Sequence, residues 1–120
     1  MTRVSRTRAV GRRRPTPALL ALVAARFRAL AEPARLQALH ALEHGERTVT
    51  ELVTATGLAQ GNLSRHLQQL HAAGFVARRR DGLFVYYALA DAEVLALCEL
   101  MCGRLEADAA AAQAMWRRGA

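Results

Sequence analysis

The chain has 120 residues, the length of one domain, and 52% of them are apolar, which is enough to bury a core and excludes wholesale disorder. All 17 basic residues are arginine against 10 acidic residues, so the formal net charge of +7 favours a polyanion such as nucleic acid as the partner. Two cysteines cannot staple a secreted domain, and no apolar stretch reaches the roughly 20 residues of a membrane span, so we expect a cytoplasmic protein that does not enter membranes.

The N-terminal segment carries most of the net charge. Six arginines and no acidic residue lie in the first 14 residues, which predicts a disordered basic tail over residues 1–16. Behind the tail, apolar residues recur along one stripe of a first amphipathic helix: Leu19, Leu20, Val23, Phe27 and Leu30. The folded domain is therefore predicted over residues 17–112, with a frayed end over residues 113–120.

Three further helices follow the first. A proline at the first helical position and leucines at helical spacing predict a second helix over residues 33–45. Thr48 and Glu51 have the spacing of a capping box, which predicts a short third helix that stops near Gly57. A fourth helix ends at Gly74, and its apolar face consists of Leu63, Leu67 and Leu70. Helix, short turn and helix are therefore adjacent.

The second half of the chain begins with a predicted hairpin. Residues 75–79 and 83–88 are rich in aromatic and β-branched side chains, and Arg80-Asp81-Gly82 between them contains the Asp-Gly pair that is typical of a hairpin turn. Asp91 is a plausible N-cap for a long fifth helix. The predicted fold class is mainly α with a small β-hairpin, a winged helix-turn-helix of five helices plus the wing.

The fourth helix opposes its leucines with a polar face. That face, with the start of the helix, carries Gln60, Asn62, Ser64, Arg65 and Gln68. Asparagine and glutamine suit adenine edges, and arginine suits guanine. A polar helix face is often merely solvated, but the hairpin beside it favours a DNA contact. Arg80, at the predicted tip of the wing, is equally consistent with a phosphate or minor-groove contact and with a solvated charge.

Histidine and cysteine are the other residues that could bind an ion. His66 lies at the edge of the leucine stripe, which favours a structural role. Surface or interface packing is expected for three histidines without a partner at metal-ligand spacing: His40, His44 and His71. Cys98 and Cys102, four apart on a helix, project two sulfurs to one side. The spacing alone fits either a soft thiophilic ion or two small apolar residues in a helix interface.

Four segments in this order resemble the ArsR/SmtB family of winged-helix repressors. They are residues 29–36, 57–67, 73–76 and 81–87, and the similarity extends over about residues 18 to 106. The resemblance implies a homodimer formed through the first and fifth helices. It also implies that the ion-free protein binds operator double-stranded DNA and is released by a metal or metalloid ion.

Departures from the family pattern bear on the identity of the ion. Where the family's third-helix arsenic site needs cysteines, this chain has residues 53–55, Val-Thr-Ala. The positions matching the family's fifth-helix zinc site are Asp91, Glu93, Arg104 and Ala107. The second helix lacks the cysteine that sulfide and oxidant sensors carry there. The resemblance thus implies that Cys98 and Cys102 form the inducer site, similar to the dithiols of repressors that respond to As(III) or Sb(III).

The sequence therefore predicts a repressor released by As(III) or Sb(III). One alternative keeps the same repressor and makes the two cysteines a sensor of cadmium, lead, zinc or thiol oxidation. Another is a thiol metal carrier or interaction module without DNA affinity. An enzyme is not predicted, because the sequence contains neither a supported Ser/His/Asp grouping nor a Gly-rich phosphate loop.

Overall fold

The computed structural model describes residues 13–119, with side chains through residue 116, so most of the predicted basic tail lies outside the described residues. The elements in chain order are α1 (Pro17–Leu30), α2 (Pro33–Ala41), β1 (Arg47–Thr48), α3 (Val49–Thr56), α4 (Gln60–Ala72), β2 (Val76–Asp81), β3 (Phe84–Leu89) and α5 (Glu93–Gly119). The mainly α winged helix-turn-helix fold of five helices and a wing is confirmed.

The core lies where α2, α3 and α4 meet the base of the sheet. The predicted leucine face of α4 is fully buried, and it packs with buried leucines of α2 and α3, of which Leu39 and Leu52 are examples. Val76 and Tyr87 close the core from the sheet, and Val94 closes it from the start of α5. This arrangement fixes α4 with its leucines inward and its polar face outward.

Local signals place both ends of α3 where the sequence predicted them, whereas α4 ends at Ala72, two residues before the predicted Gly74. The Thr48 side chain accepts a hydrogen bond from the Glu51 N–H, and the Glu51 carboxylate accepts one from the Thr48 N–H at 2.8 Å, so the capping box is complete. Gly57 ends α3 with a φ of 74°, a backbone conformation that favours glycine. The tight turn to α4 follows directly.

The sheet differs from its prediction in two ways. A third strand, β1, pairs antiparallel with β3, which gives the strand order β1-β3-β2. The predicted Arg80-Asp81-Gly82 turn is wrong, because Asp81 pairs with Phe84 and the turn is therefore Gly82-Leu83. A glycine with φ of 62° at the first turn position suits a two-residue hairpin. Arg80 consequently lies in β2, opposite Val85, and not at the tip of the wing.

Two helices expose apolar surface that this chain alone does not cover. Of the predicted α1 stripe only Leu30 is buried, while exposure is 40% or more at Leu19, Leu20, Val23 and Phe27. On α5, exposed apolar side chains include Leu97, Leu100, Met101 and Leu105. The helix also continues to Gly119, past the predicted domain end at residue 112, through an alanine run with high helix propensity. Both helices thus offer apolar area to another surface.

Candidate nucleic-acid interface and dithiol site

The polar face of α4 is presented to solvent. Gln60, Asn62, Arg65 and Gln68 are exposed, and Ser64 is half-buried. The Arg65 Nη2 donates a hydrogen bond to Asn62 Oδ1 one turn earlier, which holds the guanidinium along the helix face. Ala59 supplies no side-chain cap, so the first amides of α4 are not satisfied by a capping side chain and are suited to an anion.

The wing lies beside the start of α4. A shallow groove of about 200 Å³ separates them, and its lining includes Gln60, Ser64, Leu83, Phe84 and Val85. Five of the six predicted DNA-contacting residues belong to α4. The sixth, Arg80, lies in β2 and pairs with Val85, one of the residues that line this groove. Helix and wing are therefore positioned to approach one ligand together.

The three wing arginines divide between the two faces of the hairpin. Arg79 donates to both carboxylate oxygens of Glu46, with its Nε 3.0 Å from Oε2, and its guanidinium lies 4.3 Å from the centre of the Tyr86 ring. The hydrogen bond from Arg79 lowers the pKa of Glu46, and the same bond raises the pKa of Arg79. Because strand side chains alternate, Arg78 and Arg80 lie on the opposite face.

Arg78 is thus a candidate contact that the sequence analysis missed. Neither Arg78 nor Arg80 has an ion-pair partner within residues 13–116, where side chains are described. Alternation along β2 would have separated these two residues from Arg79, had the strand been predicted with its observed bounds.

A polar contact joins α2 to α4. The Arg35 Nε donates to His66 Nδ1 at 3.2 Å, and the Arg35 Nη1 donates to the Ala29 carbonyl at 3.3 Å. His66 therefore has the structural role that its position predicted. Through Arg35, the end of α1, the start of α2 and the middle of α4 are connected.

The two cysteines are free thiols on one side of α5. Cys98 is half-buried and Cys102 is exposed. Burial raises the pKa of the Cys98 thiol, and the neighbouring Cys102 raises it further. The Cys98 thiol is therefore protonated at neutral pH, so an ion that binds its thiolate must displace a proton.

Both cysteines line a cavity of about 710 Å³ between α2, α3 and α5. Much of the lining is apolar, including Pro33, Leu36, Ala41, Met101 and Leu105. His40 and His44, four residues apart, also line this cavity, although the sequence analysis treated them as having no partner at metal-ligand spacing. Within the described part of the chain, no three His, Cys, Asp or Glu side chains are grouped to hold a metal ion. The dithiol is thus a two-donor site beside an apolar cavity.

None of the described helices combines the length and the apolarity that a bilayer crossing needs.

Comparison with known proteins identifies the fold and its relatives. Residues 32–78 match the family model for "Bacterial regulatory protein, arsR family". A "probable mercury resistance operon repressor" of Streptomyces lividans is 43% identical over 86 residues, which are 72% of this chain and 68% of the relative. The HTH-type transcriptional regulator NmtR of Mycobacterium tuberculosis is 38% identical over 74% of this chain and 78% of its own.

Solved structures agree with these matches. The crystal structure of M. tuberculosis Rv0081 has a TM-score of 0.69 and 39% identity, covering 80% of this chain and 99% of that one. The solution structure of the homodimeric winged helix-turn-helix DNA-binding domain of Mb0332 from Mycobacterium bovis has a TM-score of 0.67 and 38% identity, covering 79% and 91%.

Proposed function

Because this chain belongs to the ArsR family of bacterial regulatory proteins, we propose that it is a dimeric repressor released from its operator when As(III) or Sb(III) binds Cys98 and Cys102. Its relatives are transcriptional regulators and not enzymes. The observation that carries the proposal is that one chain combines an exposed polar α4 face with two free thiols beside a cavity.

DNA is bound by α4 in the major groove and by the wing beside it. Asn62, Arg65 and Gln68 contact base edges, because their side chains offer the donors and acceptors that adenine and guanine require. Gln60 and Ser64, at the uncapped start of α4, position the helix on a phosphate. On the wing, Arg80 is the phosphate or minor-groove contact, and Arg78 supports it from the same face.

The dimer forms through α1 and α5. Exposed apolar side chains on α1, together with Leu97 and Leu100 on α5, are the surface for this contact, and the similar Mb0332 domain is homodimeric. On α5, Leu97 and Leu100 lie about 100° and about 160° around the helix from the cavity-lining Cys98, so dimerisation through these two residues leaves the cavity side of α5 directed at its own α2. Two recognition helices then contact half-sites about 34 Å apart.

The inducer is a thiophilic ion because the dithiol offers two soft donors. Thiolates are the ligands that such ions prefer. A trivalent metalloid takes a third ligand, and hydroxide from solvent fills that position in an open cavity. The relative named as a mercury resistance operon repressor is consistent with a thiophilic inducer.

Release is transmitted from α5 to α4 through α2. The cavity separates the dithiol from α2. At the start of α2, Arg35 donates a hydrogen bond to His66, which lies on α4. An ion that draws the two sulfurs together changes the position of α5 relative to α2. It thereby favours a dimer whose α4 helices no longer match the half-sites, which is the differential affinity that release requires.

A mobility-shift assay on the DNA upstream of the chain's own gene tests this function. The ion-free protein should bind one fragment in preference to random DNA, and As(III) or Sb(III) should remove the shift. If DNA binding persists with both metalloids but is lost with Cd(II), Zn(II) or peroxide, the agent that removes the shift is the inducer and the proposed one is wrong. A protein that binds the ions but no DNA would be the thiol carrier instead.

The basic tail is expected to act as an arm that contacts phosphates. Deleting residues 2–14 removes six arginines, so binding to all DNA sequences should weaken. The slope of log affinity against log salt concentration should become shallower by about 0.9 for each phosphate that the tail neutralises. The measurement is operator affinity against log salt concentration for the full and shortened chains. An unchanged slope would show that the tail does not touch DNA.

A further inference from the structure

The tip of the wing, Gly82 and Leu83, exposes an apolar side chain that the fold does not use. Leu83 is 98% exposed, so packing within this chain does not account for a leucine there. The turn does not require one either. Gly82, with a φ of 62°, supplies the special backbone conformation, and the position after it in a two-residue hairpin favours small polar residues. The Leu83 side chain is therefore available to a partner outside the chain.

The wing tip lies on the same side of the molecule as the start of α4. Leu83 and Phe84 share a groove with Gln60 and Ser64, two residues proposed to contact the operator. The hairpin also projects far from the core, because β2 runs from buried Val76 to the turn, about 17 Å at roughly 3.4 Å per residue. The tip therefore extends the surface that α4 presents to DNA.

The charges beside the tip favour DNA as this partner. Arg80 lies in β2 opposite Val85, which lines the groove beside α4, and Arg80 has no ion-pair partner within residues 13–116. The acidic residue at the turn, Asp81, has its carboxylate 3.7 Å from the Arg79 Nη1, which offsets its negative charge. A cationic strand that ends in an apolar tip matches a polyanion whose bases are stacked inside it.

We propose that Leu83 is a wedge that enters the minor groove of the operator and partly unstacks one base step, so that the DNA bends at each wing. The inference rests on the proposed function, because it assigns a role to the wing of the same DNA-binding surface. With α4 in a major groove, the wing beside it reaches the adjacent minor groove. That groove, about 6 Å wide, is too narrow for a helix but admits an apolar side chain from a hairpin tip.

A leucine has an effect in the minor groove that a polar residue does not have. Its side chain carries no hydrogen-bonding group, so it pairs with neither base edges nor phosphates. Burial of its apolar surface between bases is possible only if two base pairs separate to receive it. Pyrimidine–purine steps such as TA and CA/TG separate most easily. We therefore expect such a step under each wing, although no side chain reads its bases.

Two measurements on the wild-type complex test for the wedge. The DNA is the upstream fragment that the ion-free protein shifts. Energy transfer between dyes at its two ends reports bending, which should reach at least about 20° at each wing. Permanganate oxidises unstacked thymines, and every TA or CA/TG step contains a thymine. A thymine under each wing should therefore become reactive when the protein binds.

Leu83→Ser should remove the bend and the thymine reactivity and weaken operator binding at least about fivefold, because the buried apolar side chain is lost. Serine suits the second position of this turn, so the hairpin is retained, and thermal melting verifies the fold. Leu83→Met keeps an apolar wedge and should preserve both signals. The matched control is Met115→Ser, which removes an exposed apolar side chain of α5 outside the groove and should behave as the wild type.

The outcomes separate this inference from the proposed function. If Leu83→Ser bends the operator and binds it as the wild type does, the wedge is overturned. It is also overturned if the wild-type complex shows no bend or no reactive thymine, even where Leu83→Ser weakens binding, because Leu83 then touches the DNA without entering the base stack. Both results leave operator binding through α4 intact. A wild-type protein that shifts no upstream fragment would instead contradict the proposed function.

Discussion

Replacing either cysteine with serine is expected to abolish release by Sb(III) and As(III) while operator affinity stays within about twofold of the wild type. The thiols lie on α5, away from the polar face of α4, so the substitution removes the ion's ligands and leaves the DNA-binding face intact. Serine retains the size of cysteine but not its soft donor. If the ion lowers the operator affinity of the wild-type protein a hundredfold, the coupling free energy between ion and operator is about 2.7 kcal/mol. Each serine variant should lose essentially all of this coupling.

The measurement is operator binding by Cys98→Ser and Cys102→Ser with and without ion. Met101→Leu is the matched control, because Met101 lines the same cavity and its substitution keeps both thiols. The Met101→Leu protein should dissociate from operator DNA at the ion concentration that releases the wild-type protein. If either serine variant dissociates there as well, the dithiol is a packing feature and the sensor lies elsewhere.

Arg65→Ala is expected to weaken operator binding by about 1 to 3 kcal/mol, and binding to random DNA by less, because a bidentate contact to guanine discriminates between bases. Arg65 lies on the exposed face of α4, where its guanidinium donates a hydrogen bond to Asn62 Oδ1.

The matched control for Arg65→Ala is Arg28→Ala, which removes the same charge from an exposed position on α1. Affinities of the three proteins for operator and for random DNA, at one salt concentration, separate base recognition from general attraction. Equal losses on both DNAs for Arg65→Ala would indicate a phosphate contact instead.

Local signals explain why most of the fold was predictable. The capping box at Thr48 and Glu51, the glycine that ends α3, and the leucine spacing of α4 each depend on residues within one or two helical turns. β1 gave no such signal. It has two residues, and it is a strand only because Arg47 and Thr48 pair with Tyr87 and Tyr86, far along the chain. The wing turn was displaced because the pairing of Asp81 with Phe84 is likewise a property of the formed sheet.

The candidate site likewise has features that local sequence spacing predicts and features that depend on tertiary packing. Helical periodicity sufficed to place Arg65 and its neighbours on one exposed face, and four-residue spacing sufficed to put Cys98 beside Cys102. The cavity required tertiary packing, because its walls come from three helices. The bond between Arg79 and Glu46 also required tertiary packing, because the two residues are 33 apart in sequence.

The coupling between the dithiol and DNA binding can be measured as Sb(III) affinity, by calorimetry on the free protein and on the protein–operator complex. Linkage requires that an ion which weakens operator binding by some factor must itself bind the operator complex more weakly by the same factor. If Cys98 and Cys102 are the inducer site, the complex should bind Sb(III) with lower affinity, and the ratio should equal the loss of operator affinity caused by the ion. Equal affinities for the free protein and the complex would contradict release by this ion.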